Sequence, residues 1–343
     1  MVKRTGNLYE EFISKEHWKL AAEKALKGKK KLLSVKRLLD KGEDYIEELR
    51  QQVIDGTFEF RGYTTKTIYE PKERKLYIAR LEERIYHWAC MMLVERIFEP
   101  VFIHDSYSCR KGKGQHRCSL KCMELTRNCE YALKLDMRKF YPSIDQEIMK
   151  KRLAWKIKDK KFLEANYKII DSFRANDRVG VPIGNYSSQI YGNIYMTPLD
   201  YFIKEKLGCK YYARYCDDLV LGSNDKKQLK EWKNRIVDFI KIENNMTISR
   251  SKIQKVSNGV DFVGYLHFKE YKRLRKKTAR KIFKRTFFLL EKYFVKEITA
   301  ESAEGSLASA IGWCRHANTY HFRLLIKLKK LKNYFRQEVT CNL

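Results

Sequence analysis

The stretch Tyr211-Tyr212-Ala213-Arg214-Tyr215-Cys216-Asp217-Asp218-Leu219-Val220-Leu221-Gly222 constrains this chain more than any other. Aromatic or apolar runs flank two adjacent aspartates, the pattern of a β-hairpin with acids at its turn. Alone, an Asp-Asp pair reads as an ordinary polar turn. A second segment changes the balance. Tyr131-Ala132-Leu133-Lys134-Leu135-Asp136-Met137-Arg138-Lys139-Phe140-Tyr141-Pro142-Ser143-Ile144 begins as an alternating strand and places Asp136 at its end. Carboxylates between apolar strands are costly unless a cation neutralises them. Two divalent cations about 3.5–4 Å apart, sharing such carboxylates, activate an attacking hydroxyl and stabilise a departing phosphate oxygen. Oxygen donors suit Mg²⁺, with Mn²⁺ as a substitute.

The rest of the chain has the opposite sign. It has 343 residues, with 72 Lys and Arg against 42 Asp and Glu, a net charge of +30. That excess favours a polyanionic partner, above all nucleic acid, over small neutral substrates. With 44% hydrophobic and 13% aromatic residues the chain is too apolar for a disordered basic protein. No uncharged apolar run approaches the ~18 residues of a membrane span, and the N-terminus lacks a signal-peptide core, so a cytoplasmic location and no membrane partner are expected. Nine cysteines then stand as free thiols. Cys118 and Cys122, with His116 nearby, lack a second cysteine pair at zinc-site spacing, so small apolar packing residues are expected there.

Periodicity predicts helices over 8–54. A basic β-hairpin is expected over 57–80, with Phe58, Phe60, Tyr63, Thr65, Thr67 and Tyr69 as β-formers and Pro71–Lys75 as its turn. A helix follows over 81–99, then a Gly- and Lys-rich loop over 106–114. From Lys269 to Arg285 there are ten Lys or Arg residues. Phe283, Phe287, Leu290 and Phe294 follow at helical spacing, and a second helix is expected over about 306–338.

Between the two acidic segments lies Val181-Pro182-Ile183-Gly184-Asn185-Tyr186-Ser187-Ser188-Gln189, and after them comes Phe262-Val263-Gly264-Tyr265. In this order the motifs resemble those of reverse transcriptases, from about residue 57 to 268. Asp136 with Phe140-Tyr141 is similar to the first palm motif, and Tyr215-Cys216-Asp217-Asp218 to the Tyr-x-Asp-Asp motif. Phe262–Tyr265 is similar to the primer-grip hairpin, and Ser106–Gly114 to a fingers segment. The resemblance implies an α+β right-hand polymerase fold with an antiparallel-sheet palm, mixed fingers and a helical thumb. The implied boundaries are an N-terminal helical extension at 1–56, fingers at 57–130, palm at 131–149, a helical connection at 150–180, palm again at 181–268 and thumb at 269–343.

The same resemblance implies roles. Asp136, Asp217, Asp218 and the main-chain carbonyl of Met137 would face two Mg²⁺ ions, with Asp218 less directly bound. Phosphoryl transfer then proceeds by positioning and charge neutralisation, without a His or Cys nucleophile. Tyr141 would sit beneath the nucleotide sugar and exclude a 2′-hydroxyl, with Phe140 beside it, more a core aromatic than a contact. Lys72 and Arg74, with Lys75 as a register-shifted alternative, would hold the dNTP triphosphate, and Ile183, Gly184 and Gln189 would line its site. Template RNA and the RNA–cDNA duplex would meet Arg110, Lys111, Lys113, Gly264, Tyr265, Lys272, Arg273, Arg275, Lys276 and Lys277 through backbone phosphates.

One departure narrows the family. Most reverse transcriptases carry Pro-Gln-Gly where this chain has Pro182-Ile183-Gly184, followed by Ser188-Gln189. This form resembles the enzymes of diversity-generating retroelements. Those make cDNA with frequent errors at template adenines and work with a small basic helical accessory protein. An intron, retron or defence-associated reverse transcriptase is the nearer alternative, and a non-catalytic RNA-binding scaffold the more distant one. No endonuclease or ribonuclease H segment follows before Leu343, so target cleavage is expected to depend on other factors.

Overall fold

The computed structural model describes residues 3–29, 33–69, 73–173 and 179–341, with main chain only at 34, 37, 39, 328 and 338–341. Helices α1 (Tyr9–Phe12), α2 (Lys15–Leu26), α3 (Leu33–Asp40) and α4 (Gly42–Ile54) precede the hairpin β1 (Tyr63–Ile68) and β2 (Arg74–Ala79). Then come α5 (Leu81–Phe98), α6 (Gln115–Asn128), β3 (Tyr131–Met137), α7 (Gln146–Lys156), α8 (Lys160–Asp171) and α9 (Tyr186–Tyr201). They are followed by β4 (Tyr211–Tyr215), β5 (Asp218–Ser223), α10 (Lys226–Asn244), β6 (Ile248–Lys255), β7 (Val260–Phe262), β8 (Tyr265–His267) and β9 (Lys272–Leu274). Helices α11 (Lys276–Phe294), α12 (Ala300–Arg315), α13 (Tyr320–Leu325) and α14 (Leu328–Cys341) close the order. The α+β class expected from sequence is therefore observed, with the sheet pairings of both hairpins antiparallel.

The chain forms two compact units. The first contains Met1–Lys111, Asp136–Gly208 and Lys233–Arg250. Helix α2 packs on α5, and α5 and α7 pack on α9. An aromatic knot fills its core: Phe12 lies edge-on to Tyr86 at 5.7 Å and to Phe162 at 5.6 Å. The second contains Gly112–Leu135, Cys209–Trp232 and Ser251–Leu343. It holds most of a four-stranded sheet of order β4-β5-β3-β6, a three-stranded sheet β7-β8-β9, and helices α6 and α11–α14. The thumb-like helices enclose Leu274, Ile282, Ala303, Leu307, Ile326 and Phe335.

Two expectations are corrected. Residues 57–62 form no strand. Phe58 and Phe60 instead pack on Tyr86 with ring centroids 5.0 and 5.1 Å away. The Arg61 N–H donates to the buried Glu83 carboxylate at 2.7 Å, so it needs no ladder partner. The single helix expected over 306–338 is broken into α12, α13 and α14. Thr319 Oγ1 donates back to the Cys314 carbonyl at 2.7 Å, and the Asn318 N–H donates to the Lys272 carbonyl, which ends α12 and ties its exit to β9. Thr side chains that compete for backbone partners mark such ends. The hairpin turn expected at Pro71–Lys75 lies partly outside the described residues.

Cys118 and Cys122 are buried, as expected of small packing residues, and so are Cys90 and Cys129, whereas Cys109 is exposed. Among the described residues no helix is long and apolar enough to cross a membrane.

Helix α6 packs against β4 and β5, the strands that carry the acidic turn. Gly222 on β5 permits that approach. A Cβ there would meet Leu125 Cγ at 2.6 Å and Cys129 Sγ at 2.8 Å. Gly222→Ala is expected to destabilise the protein by about 1–3 kcal/mol through overpacking. Urea denaturation would measure this, and Leu125→Ala in the same chain is expected to return part of the loss.

Candidate active site

In the hairpin of β4 and β5, Tyr215 pairs with Asp218, leaving Cys216 and Asp217 as the two turn residues. Cys216 has φ 59°, a left-handed value at the first turn position, where glycine is usual in tight hairpins. Arg214, fully buried beneath the turn, donates from Nη1 to the Cys216 carbonyl at 3.1 Å. This bond fixes a turn that the sequence alone would not favour. Tyr212, Ala213, Leu219, Val220 and Leu221 are buried, so the strands are apolar and the half-buried Asp217 and Asp218 lie at one end.

Asp218 carries its own counter-cation: its Oδ2 lies 3.1 Å from Lys134 Nζ. Asp136 lies near the end of β3, half-buried, and β3 and β5 are hydrogen-bonded neighbours in the sheet. Its Oδ2 and its main-chain carbonyl both accept from Ser249 Oγ at 3.0 Å. Met137 is buried. Among the described residues, no three His, Cys, Asp or Glu side chains converge on a metal position. The donors that Asp136 and Asp217 offer are carboxylate oxygens, which fit a hard divalent cation.

The residues expected around a nucleotide belong to the first unit, and most are linked there. The Tyr77 N–H on β2 donates to the Ile183 carbonyl at 2.9 Å, and Asn185 Nδ2 donates to the Tyr77 carbonyl at 2.8 Å. The hairpin bearing Arg74 and Lys75, both exposed, is thereby anchored on the Ile183-Gly184 loop. The Val181 N–H donates to the Tyr141 carbonyl at 3.0 Å, joining that loop to the Asp136 segment. Ile183 and Tyr141 are half-buried, Gly184 and Gln189 exposed. Phe140 is a core ring, as the sequence suggested. Lys72 lies outside the described residues.

The basic residues divide. Lys111, Arg273, Lys276 and Lys277 are exposed and Lys113 half-buried. Arg273 stacks over Tyr271 at 5.0 Å. Three others are corrected. Lys272 is buried and donates to Ser119 Oγ at 2.8 Å, and its desolvation lowers its pKa. Arg110 pairs with Glu99 and donates to the Ile103 and Ser106 carbonyls, holding its loop together. Tyr265 is fully buried: its hydroxyl donates to the Trp313 carbonyl at 3.2 Å, and burial pushes its pKa up. Gly264 sits at the β7–β8 turn under the Trp313 ring. Arg275 is half-buried and bonded to Asp261.

Sequence reasoning missed Lys134, Ser249 and Arg214. Lys134 had a signal: it lies two positions before Asp136, hence on the same face of β3. Arg214 had one too, as a cation inside an apolar strand. Ser249 had none, because its partner is 113 positions away.

A family model described as "Reverse transcriptase (RNA-dependent DNA polymerase)" matches residues 70–267. The putative COX1/OXI3 intron 2 protein of Saccharomyces cerevisiae is 22% identical over 292 residues, covering 64% of this chain and 34% of that one. Protein YkfC of Escherichia coli is 23% identical over 272 residues, covering 64% and 70%. The group II intron-encoded protein LtrA of Lactococcus lactis is 26% identical over 171 residues, covering 47% and 28%. The chain spans about a third or less of the length of the first three curated relatives it matches, at 34%, 26% and 20%. Among solved structures, apo telomerase from Candida tropicalis truncated from its C-terminal domain matches with a TM-score of 0.49 and 15% identity, covering 63% of this chain and 55% of that one.

Proposed function

This chain belongs to the reverse transcriptase (RNA-dependent DNA polymerase) family, and from that premise we propose that it copies a template RNA into cDNA within a diversity-generating retroelement. The observation that carries the polymerase reading is the acidic turn Asp217-Asp218 between the apolar strands β4 and β5, inside the matched segment.

Asp136 and Asp217, with Asp218 less directly and with the Met137 carbonyl, would hold divalent cations of the Mg²⁺ class, which would supply charge neutralisation for the phosphoryl transfer. The chain's own work is positional. Ser249 orients the Asp136 carboxylate, and Arg214 holds the Cys216 carbonyl and hence the turn before Asp217. Tyr141 is the ring that would meet a 2′-hydroxyl. Arg74, exposed on β2, would grip a triphosphate through its planar fork. Arg273, Lys276 and Lys277 present charge to duplex phosphates. A small basic helical accessory protein is the expected partner.

The retroelement subtype rests on Ile183. The amide of the usual glutamine can brace a nascent base pair, whereas the branched Ile183 side chain offers no hydrogen bond. A site lacking that bond discriminates less between nucleotides. Ile183→Gln is expected to lower misincorporation opposite template adenine by roughly threefold or more. The test is primer extension with dNTPs and Mg²⁺ on a defined RNA, followed by sequencing of the cDNA. An error spectrum indifferent to adenine, and unmoved by Ile183→Gln, would favour the intron-like reading that the names of the relatives suggest. No metal-dependent cDNA with accessory protein and cognate RNA present would remove the polymerase reading altogether.

A further inference from the structure

Lys134 has no place in the roles above, yet one ammonium makes three contacts. Nζ lies 3.1 Å from Asp218 Oδ2, donates to the Asp261 carbonyl at 2.9 Å, and stands 5.8 Å over the Phe262 ring. Asp261 and Phe262 belong to β7, the first strand of the hairpin that carries Gly264 and Tyr265. The lysine and aspartate side chains are 28% and 25% exposed, so solvent screens this pair less than a surface pair.

The connection continues beyond β7. The Asp261 carboxylate accepts from Arg275 Nε at 2.6 Å, and the Arg275 N–H donates to the Gly264 carbonyl at 3.1 Å. Arg275 is the N-cap of α11. Charge thus alternates from Asp218 to Lys134 and from Asp261 to Arg275, joining the acidic turn, the hairpin and the first thumb-like helix. The Cys122 thiol is also within electrostatic reach of Lys134 and both aspartates, but burial raises its pKa and keeps it neutral. It does not compete for the ammonium.

We propose that Lys134 is a positioning residue that clamps the Asp217-Asp218 turn to the β7–β8 hairpin, holding the acids at a fixed spacing from a primer end carried by that hairpin. The role rests on the polymerase reading. It also gives Asp218 a second task beside its place among the acids: it is the anchor for Lys134. A lysine that merely contacted nucleotide phosphates would have no need of the Asp261 carbonyl, and a solvated lysine would not be three-quarters covered.

The test uses the full chain with Lys134→Met, Lys134→Arg, Asp218→Asn and the double variant Lys134→Met/Asp218→Asn. Lys134→Met is expected to lower kcat for primer extension about ten- to a hundredfold, because small misplacements of reacting groups cost that much. Its dNTP KM is expected to stay within about twofold, the sign of lost positioning rather than lost binding. Lys134→Arg keeps the charge and is expected to recover most of the rate. The double variant is expected to be no slower than the slower single variant. Unchanged kcat in Lys134→Met, or a raised dNTP KM with kcat intact, overturns the proposal. Melting temperatures in EDTA give a readout independent of catalysis: losses that add in the double variant overturn the clamp, and non-additive losses support it. If the wild type makes no cDNA, the polymerase reading and the positioning role fall together, while the melting cycle still decides whether the clamp exists.

Discussion

Asp217→Ala is expected to reduce cDNA synthesis by at least about a thousandfold, since a metal-binding carboxylate supplies several kcal/mol of transition-state stabilisation. Asp217 lies in a two-residue turn between apolar strands, held from below by Arg214. The side chain can therefore be shortened with little change to the strands that carry it. Melting temperature is expected to stay near that of the wild type, so lost activity would report lost chemistry rather than lost fold. Asp218→Ala is expected to act differently. It strands the Lys134 ammonium in a half-buried position, so stability falls along with rate. Primer extension with purified variants, normalised to folded protein, separates the two. Retention of more than about a tenth of wild-type activity in Asp217→Ala would remove Asp217 from the metal-binding role.

Tyr141→Ala is expected to give the second largest effect, a loss of about a hundredfold in discrimination between dNTPs and ribonucleotides. The ring is held rather than free. It lies 5.0 Å from the Phe140 ring, and its edge passes where a Cβ on Gly192 of α9 would be, at 3.2 Å. The Tyr141 carbonyl accepts from Val181, which keeps the residue beside the Ile183-Gly184 loop. A rigid ring excludes a hydroxyl sterically, whereas a mobile one would yield. The ratio of kcat/KM for a dNTP to that for its ribonucleotide measures the effect. Tyr141→Phe is expected to keep the ratio, because the exclusion needs the ring and not the phenol. An unchanged ratio in Tyr141→Ala would make Tyr141 a packing residue like Phe140.

The residues that local pattern identified and those it missed differ in a physical way. Asp136, Asp217 and Asp218 were legible because their meaning comes from neighbours in sequence: alternating apolar residues make a strand, and acids at its end require compensation. Charge was legible only in bulk. The run from Lys269 to Arg285 reads as one basic face, yet Lys272 points inward to Ser119 while Arg273 beside it is exposed. That alternation is the period of β9, a strand of three residues too short to announce itself. Arg110 was misread for a related reason. A cation in a Gly- and Lys-rich loop looks solvated until Glu99 and two carbonyls are found around it.

By itself the sequence determined the family, the order of the motifs, the acids and the α+β class, since each follows from residues close together along the chain or from the sum of their charges. Only the tertiary structure decided which partner meets which acid. Lys134 meets Asp218, Ser249 meets Asp136, and Arg275 meets Asp261 across separations of up to 113 positions. Such pairings depend on strand order and side-chain direction, and electrostatic energy depends on distance in space, which spacing along the chain does not encode.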